Sequence, residues 1–271
     1  ALNYACYQDS RFIVVGTPSG ITLAPEGGAH QSIGTPLIGM AQDGLAAFEP
    51  AFVDELGVIL AWAFDYIQRD GDDRHEEGNW LRDETGGSVY LRLSTRRIEQ
   101  PGRKMTPALL ADIIDGAYWM REPGPNAEVV IAYTGAVAPG AIMAAGLISE
   151  DRRDVGVLAV TSADRLNAGW QAAERVRLRG QTDAMSHIER LLKPLSRDCG
   201  IVTVIDGHPA TLSWLGGVYG HPVISLGVEH FGQTGTVRDL YRHHGIDTDA
   251  IVNAARAVVP GRPIRHLRIV N

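Results

Sequence analysis

Cysteine is nearly absent: Cys6 and Cys199 are the only two in 271 residues. That excludes a disulfide scaffold and a cysteine-based zinc site, and it fits a reducing compartment. Both read as small apolar residues, Cys199 just ahead of a buried strand. No uninterrupted apolar run reaches about 18 residues and no signal-peptide pattern stands at Ala1, so the expectation is a cytoplasmic protein with no membrane partner. Lysine is limited to Lys104 and Lys193, a compositional bias in favour of arginine. The net charge is −7, and basic clusters are short and interleaved with acid, which argues against a nucleic-acid partner. No Gly-x-Ser-x-Gly elbow, Rossmann glycine fingerprint or Walker loop occurs. The charged run Arg69–Gly78 lacks the spacing of a calcium loop and reads as a solvated segment. His208, His221 and His230 lack the close helical spacing of a histidine metal pair.

What is present is 45% apolar residues and 31 glycines, enough for one large core or two modest ones joined by many strand-to-helix turns. Strands are expected at Arg11–Gly16, Leu45–Phe48 and Ser88–Leu93, the last alternating as a half-covered or terminal strand. Apolar positions at helical spacing predict a helix over Ala51–Arg69. A stretch with neither period, Ser94–Gly102, marks a boundary. Beyond it, Thr106-Pro107 opens a helix that extends towards Met120. Strands at Ala127–Tyr133, Val155–Val160, Ile201–Ile205 and Val223–Val228 then alternate with helices at Ala138–Ile148, Arg165–Leu178, Met185–Leu195, Thr236–His244 and Thr248–Val258. A strand-like tail, Ile264–Val270, closes the chain. This order predicts a helix-covered, mostly parallel sheet with its functional corner at the strand C-terminal ends. Those ends carry Thr134-Gly135, Thr161-Ser162, Asp206-Gly207-His208 and Glu229-His230.

The candidate chemistry centres on Glu26-Gly27-Gly28-Ala29-His30-Gln31-Ser32. Two glycines permit close backbone approach, and Glu26 and His30 set ionisable groups at the bend. His30 has the chemistry to donate a proton, polarise a carbonyl or hold an anion. The same loop equally fits a structural turn with His30 satisfied by a neighbouring carbonyl. Thr35 is expected to cap a short helix beginning at Pro36. Glu229-His230, before Gly232-x-x-Gly235, lines either a cleft or a subunit interface.

Gly16-Thr17-Pro18-Ser19-Gly20 and Glu26–Ser32 resemble the pyrimidine-binding domain of the thiamine diphosphate-dependent transketolase superfamily, nearest the homodimeric pyruvate dehydrogenase E1 component. Gly227–Gly235 and Leu240–His244 resemble that group's C-terminal domain, and Asp206–Pro209 with Ser213–Leu215 fit a divergent bacterial branch. The resemblance implies an α/β fold: a truncated pyrimidine-binding domain over residues 1–98, a linker at 99–105, and a transketolase C-terminal-like three-layer α/β/α domain over 106–271. It implies a homodimer, thiamine diphosphate and Mg²⁺ in the full-length enzyme, a 2-oxo substrate, and a lipoyl-bearing E2 partner if the enzyme is an E1. His30 matches the substrate-facing histidine and is the catalytic candidate. Glu26, Gln31, His208, Glu229 and His230 are substrate-binding or cleft candidates.

The diphosphate and metal motif of that family, Gly-Asp-Gly followed by an Asn, and its cofactor-activating glutamate are not found in this stretch. The opening Ala1–Gln8 reads as the middle of a domain. The chain is therefore expected to be a C-terminal fragment, inactive alone and binding no cofactor by itself. Two alternatives stand beside that reading: a subunit of a split E1 that needs a separate N-terminal partner, and a non-catalytic dimerisation or regulatory module.

Overall fold

A computed structural model describes residues 1–40, 42–71, 81–150, 154–230 and 232–259. Most of the charged run, Phe231 and the expected terminal strand lie outside these residues.

The chain opens with helix α1 (Leu2–Tyr7), then strand β1 (Ile13–Gly16), helix α2 (Thr35–Gly39), strand β2 (Leu45–Phe48), helix α3 (Val53–Tyr66) and strand β3 (Ser88–Arg92). The three strands form a parallel sheet in the order β1-β3-β2. Ser88–Arg92 is thus the central strand, not a terminal one. Its alternation misleads because the polar position Arg92 is itself buried, at 2% exposure. Helix α3 is shorter than its apolar period, and the Glu55 carboxylate caps it by accepting from the Ala51 and Phe52 amides at 2.7 and 3.0 Å.

Thr35 does not cap a helix. It is the first residue of α2 after Gly34, and its hydroxyl donates to the Ser32 carbonyl at 2.9 Å instead. Helix α4 (Pro107–Asp115) is capped as expected by Thr106, but it stops well short of Met120. Gly116 ends it in the left-handed region at φ 111°, where a Cβ would also meet the Ser162 carbonyl. The released residues form strand β4 (Ala117–Arg121), antiparallel to β6 at one edge of the second sheet.

That sheet adds β5 (Val129–Thr134), β6 (Val155–Val160), β7 (Gly200–Ile205) and β8 (Val223–Leu226), all mutually parallel in the order β4-β6-β5-β7-β8. Fully apolar strands require cover on both faces. Alternate residues of β5 obey this. Val129, Ile131 and Tyr133 pack with helices α5 (Ala138–Glu150) and α10 (Thr248–Ala257). Val130 and Ala132 pack against α6 (Ala163–Leu178), α7 (His187–Leu192) and α8 (Ala210–Ser213). Helix α9 (Val237–His243) lies on the first face. The result is a three-layer α/β/α arrangement. Trp170 and Trp214 stack at 5.5 Å within the second face's cluster, as core aromatics should. Cys6 and Cys199 are buried and free.

The expected linker is packed. Arg103 grips Asp54 with two hydrogen bonds of 2.7 Å, and its other nitrogen donates to the Tyr118 hydroxyl, which in turn donates to Glu55. One side chain from 99–105 thereby fastens α3 to β4.

Candidate functional site at the junction of the two sheets

The C-terminal ends of both sheets face each other. After β2, the Glu49 amide donates to the Thr161 carbonyl at 2.8 Å, and the Thr134 hydroxyl donates to the Glu49 carbonyl at 3.2 Å. The Ser162 hydroxyl donates to the Ala47 carbonyl, and Asp164 accepts from the Ala47 amide at 3.1 Å. The polar residues ending β5 and β6 are therefore occupied in holding the smaller sheet.

At the centre, Arg92 spreads its guanidinium over four partners. It donates to the Glu49 carboxylate, to the Thr35 hydroxyl at 3.0 Å, to the Ser32 carbonyl at 3.2 Å and to the Asp206 carbonyl at 2.6 Å. Burial of Asp206 is complete. One of its carboxylate oxygens accepts from the Ile21 amide at 2.9 Å and the other from the Tyr241 hydroxyl at 3.1 Å. Gly20 lies against this carboxylate at φ 58°, and an added Cβ would overlap it. Burial pushes the Glu49 carboxyl up to about 7, with the nearby Asp206 adding to the rise and Arg92 opposing it. Burial also raises the Asp206 carboxyl. A cavity of about 20 Å³, room for a single water, sits beside Glu49, Arg92, Thr134 and Asp164.

Around this buried knot the structure brings together the two segments singled out in the sequence. Gln31 is buried, and its amide does the joining: Nε2 donates to the Gln233 carbonyl at 2.8 Å, while Oε1 accepts from the Gly232 amide at 2.9 Å. Gly27 packs directly on Thr234, and the Gly235 amide donates to the Ala24 carbonyl at 3.3 Å. Glu26 and His30 are exposed. His30 occupies the end of a short 3-10 turn, Gly28–His30, with its amide donating to the Gly27 carbonyl at 3.3 Å.

His208 is half-buried and structurally engaged. Its amide donates to the Ile33 carbonyl at 2.8 Å, and its Nδ1 accepts from the Ala210 amide at 3.2 Å, leaving Nε2 as the remaining ring nitrogen. Glu229 and His230 are exposed beside Val228, whose amide donates to the Gly207 carbonyl at 2.7 Å. Of the adjacent His243 and His244, the first is exposed and the second half-buried. Burial, His243 and His230 hold the His244 imidazole below its ordinary range.

Sequence reasoning missed Glu49 and Arg92. A charged residue inside an apolar strand, and an acid between a strand and a proline, were the available signals.

This two-sheet, helix-covered arrangement has the fold of a transketolase segment. The chain matches transketolase from Leishmania mexicana with a TM-score of 0.68 at 17% identity, over 97% of this chain and 33% of that one. It matches transketolase from Campylobacter jejuni with a TM-score of 0.67 at 18% identity, over 94% and 33%. A split-gene transketolase, solved as an inactive beta4 tetramer, matches with a TM-score of 0.59 at 16% identity, over 94% and 68%. The chain therefore spans about a third of the length of the two full transketolases. No protein-family model and no curated protein matches it by sequence.

Transketolases imply thiamine diphosphate and a divalent ion. Among the described residues no three His, Cys, Asp or Glu side chains converge as metal ligands. The buried Glu49 and Asp206 carboxylates at the junction are already engaged by Arg92, Ile21 and Tyr241. These residues do not fit a diphosphate-and-metal clamp.

Proposed function

We propose that this chain is the substrate-facing and C-terminal part of a thiamine diphosphate-dependent enzyme that acts on a 2-oxo substrate, and that the cofactor clamp is supplied by polypeptide outside these 271 residues. The observation that carries the reading is the docking of the Glu26–Ser32 loop onto Gly232–Gln233 by Gln31. It supports His30 lying on a scaffold held from two ends of the chain, with its imidazole open to a bound molecule. In this reading residues 1–98 are the end of a pyrimidine-binding domain, 99–105 a packed connector, and 106–271 the C-terminal domain.

His30 is the residue assigned to chemistry: it donates a proton to, or orients, the oxygen of the substrate carbonyl. Glu26 and His230 border the approach, while Gln31 and His208 position backbone. Glu229 is assigned to the same rim. The finer assignment is a pyruvate dehydrogenase E1-like enzyme, with a homodimer and a lipoyl-bearing E2 as acceptor partner. We place the dimer surface on α3, where Val53 and Phe64 are exposed at 66% and 56%. A split-gene arrangement is the second reading, supported by the match to a split-gene transketolase over 68% of that chain. A non-catalytic module predicts the same fold without any effect of His30 on turnover.

The experiment is turnover by the complete enzyme carrying His30→Ala and His30→Gln. Pyruvate-dependent reduction of an artificial electron acceptor and ketol transfer between sugar phosphates are assayed in parallel. Loss of turnover of at least about a hundredfold in both variants supports the assignment. Unchanged turnover overturns it, and which assay responds decides between the E1 and transketolase readings.

A further inference from the structure

A groove of about 610 Å³ opens on the face of the larger sheet formed by α5, α9 and α10. That volume falls within the range of small-molecule sites, roughly 300–1,000 Å³. Arg238 and Arg242 line one wall, one helical turn apart on α9. Like charges at this spacing repel each other, yet neither guanidinium has a hydrogen bond or ion pair among the described residues. A third arginine, Arg96, is held in place by stacking 5.1 Å over the Tyr241 ring and by donating to the Ala136 carbonyl at 3.0 Å. Three permanent cations thus share one concavity, and Arg96 retains donors that Ala136 does not take. The opposite wall is the start of α10, where the Asp247 side chain is spent on the Ala250 amide at 3.0 Å. Asp249 is exposed and carries no such bond. Met143 and Ile246 contribute apolar surface between the walls.

We propose that this groove binds a phosphorylated small molecule of nucleotide size, with Arg96, Arg238 and Arg242 holding the phosphate and Asp249 accepting hydrogen bonds from hydroxyl or amino groups. Two arginines without a partner among the described residues, beside a third in a fixed pose, are matched to an anion with several oxygens. The single free carboxylate across the groove selects a ligand that also carries donors, and excludes a purely anionic one as its best fit. This site is separate from the Glu26–Ser32 loop and does not rest on the proposed function. It borders the junction through Tyr241, whose hydroxyl donates to Asp206, and through Arg96, whose charge also acts on that carboxylate.

The test is titration of the 271-residue protein with adenosine 5′-monophosphate by calorimetry, with inorganic phosphate as the second probe. The expected result is saturable one-to-one binding of the nucleotide that weakens as salt is raised. The double variant Arg238→Ala/Arg242→Ala should lose at least about tenfold in affinity for both probes. Asp249→Asn should weaken the nucleotide several-fold and leave phosphate unchanged. All three positions are exposed, so thermal melting should match the parent protein and separate lost binding from lost folding. No saturable binding at about 1 mM nucleotide, or equal affinity in the double variant, overturns the proposal.

Discussion

Gln31 Nε2 donates to the Gln233 carbonyl at 2.8 Å across 202 residues of sequence, and the other end of the same amide accepts from the Gly232 amide. A single side chain thus fastens the candidate substrate loop to the segment after β8. Replacing Gln31 with Ala leaves the Gln233 carbonyl and the Gly232 amide, both on exposed residues, without their partner. Water replaces Gln31 at both groups, so the expected cost is about 0.5–1.5 kcal/mol. Hydrogen exchange at the Gly232 amide should accelerate while the amides of β5 stay protected, and unchanged exchange there would show that the loop is held some other way.

Arg92 carries the larger load. Its removal strips partners from Glu49, Thr35, Ser32 and Asp206 at once. Breaking a buried charge pair from one side costs about 3–5 kcal/mol. Arg92→Ala should therefore lower the denaturant midpoint strongly. Arg92→Lys should recover little, because one ammonium cannot reproduce a planar fork with partners on three nitrogens.

The pH dependence follows from Glu49. Burial raises its carboxyl from an ordinary value near 4.5 to about 7 in the folded protein. The folded state therefore binds more protons than the unfolded state between those values. Its contribution to stability is complete below the unfolded value and is lost as pH rises through about 7. Glu49→Gln cannot titrate, so the stability difference between wild type and variant isolates this group. That difference should shift against the wild type, on the order of 3 kcal/mol, from pH 4.5 to pH 8. A difference that is flat with pH, measured by chemical denaturation, would contradict the assignment.

Gly20 gives a backbone counterpart. Its φ of 58° and its contact with the Asp206 carboxylate leave no room for a side chain. Gly20→Ala should destabilise by more than the roughly 1–2 kcal/mol of the left-handed conformation alone. The Ile21 amide, which donates to Asp206, should lose protection from exchange.

Much of this architecture is legible before any coordinates. The strands at Val155–Val160 and Leu45–Phe48 fall where their apolar runs place them, and Thr106 caps its helix by accepting from the third amide beyond. Local pattern carries that information because helix ends and buried strands are decided within a few residues. The antiparallel strand β4 escapes the pattern, since Gly116 can be read as a weak helix position or as a terminator, and only contact with β6 decides. Glu26–Ser32 and Gly232–Gly235 stand out separately in the sequence, whereas their union through Gln31 is a long-range contact with no local signature. Arg92 is hidden for the same reason: its partners Glu49, Ser32 and Asp206 lie 43, 60 and 114 residues away.

As proposed, the chain supplies the substrate loop of a thiamine diphosphate enzyme, and other polypeptide supplies the cofactor clamp. The most direct measurement is calorimetric titration of thiamine diphosphate and Mg²⁺ into the 271-residue protein, alone and assembled with a polypeptide bearing the Gly-Asp-Gly and Asn motif. The 271 residues alone should show no stoichiometric binding, and the assembly should bind saturably. A tight, one-to-one isotherm from the 271-residue protein alone would contradict the proposal.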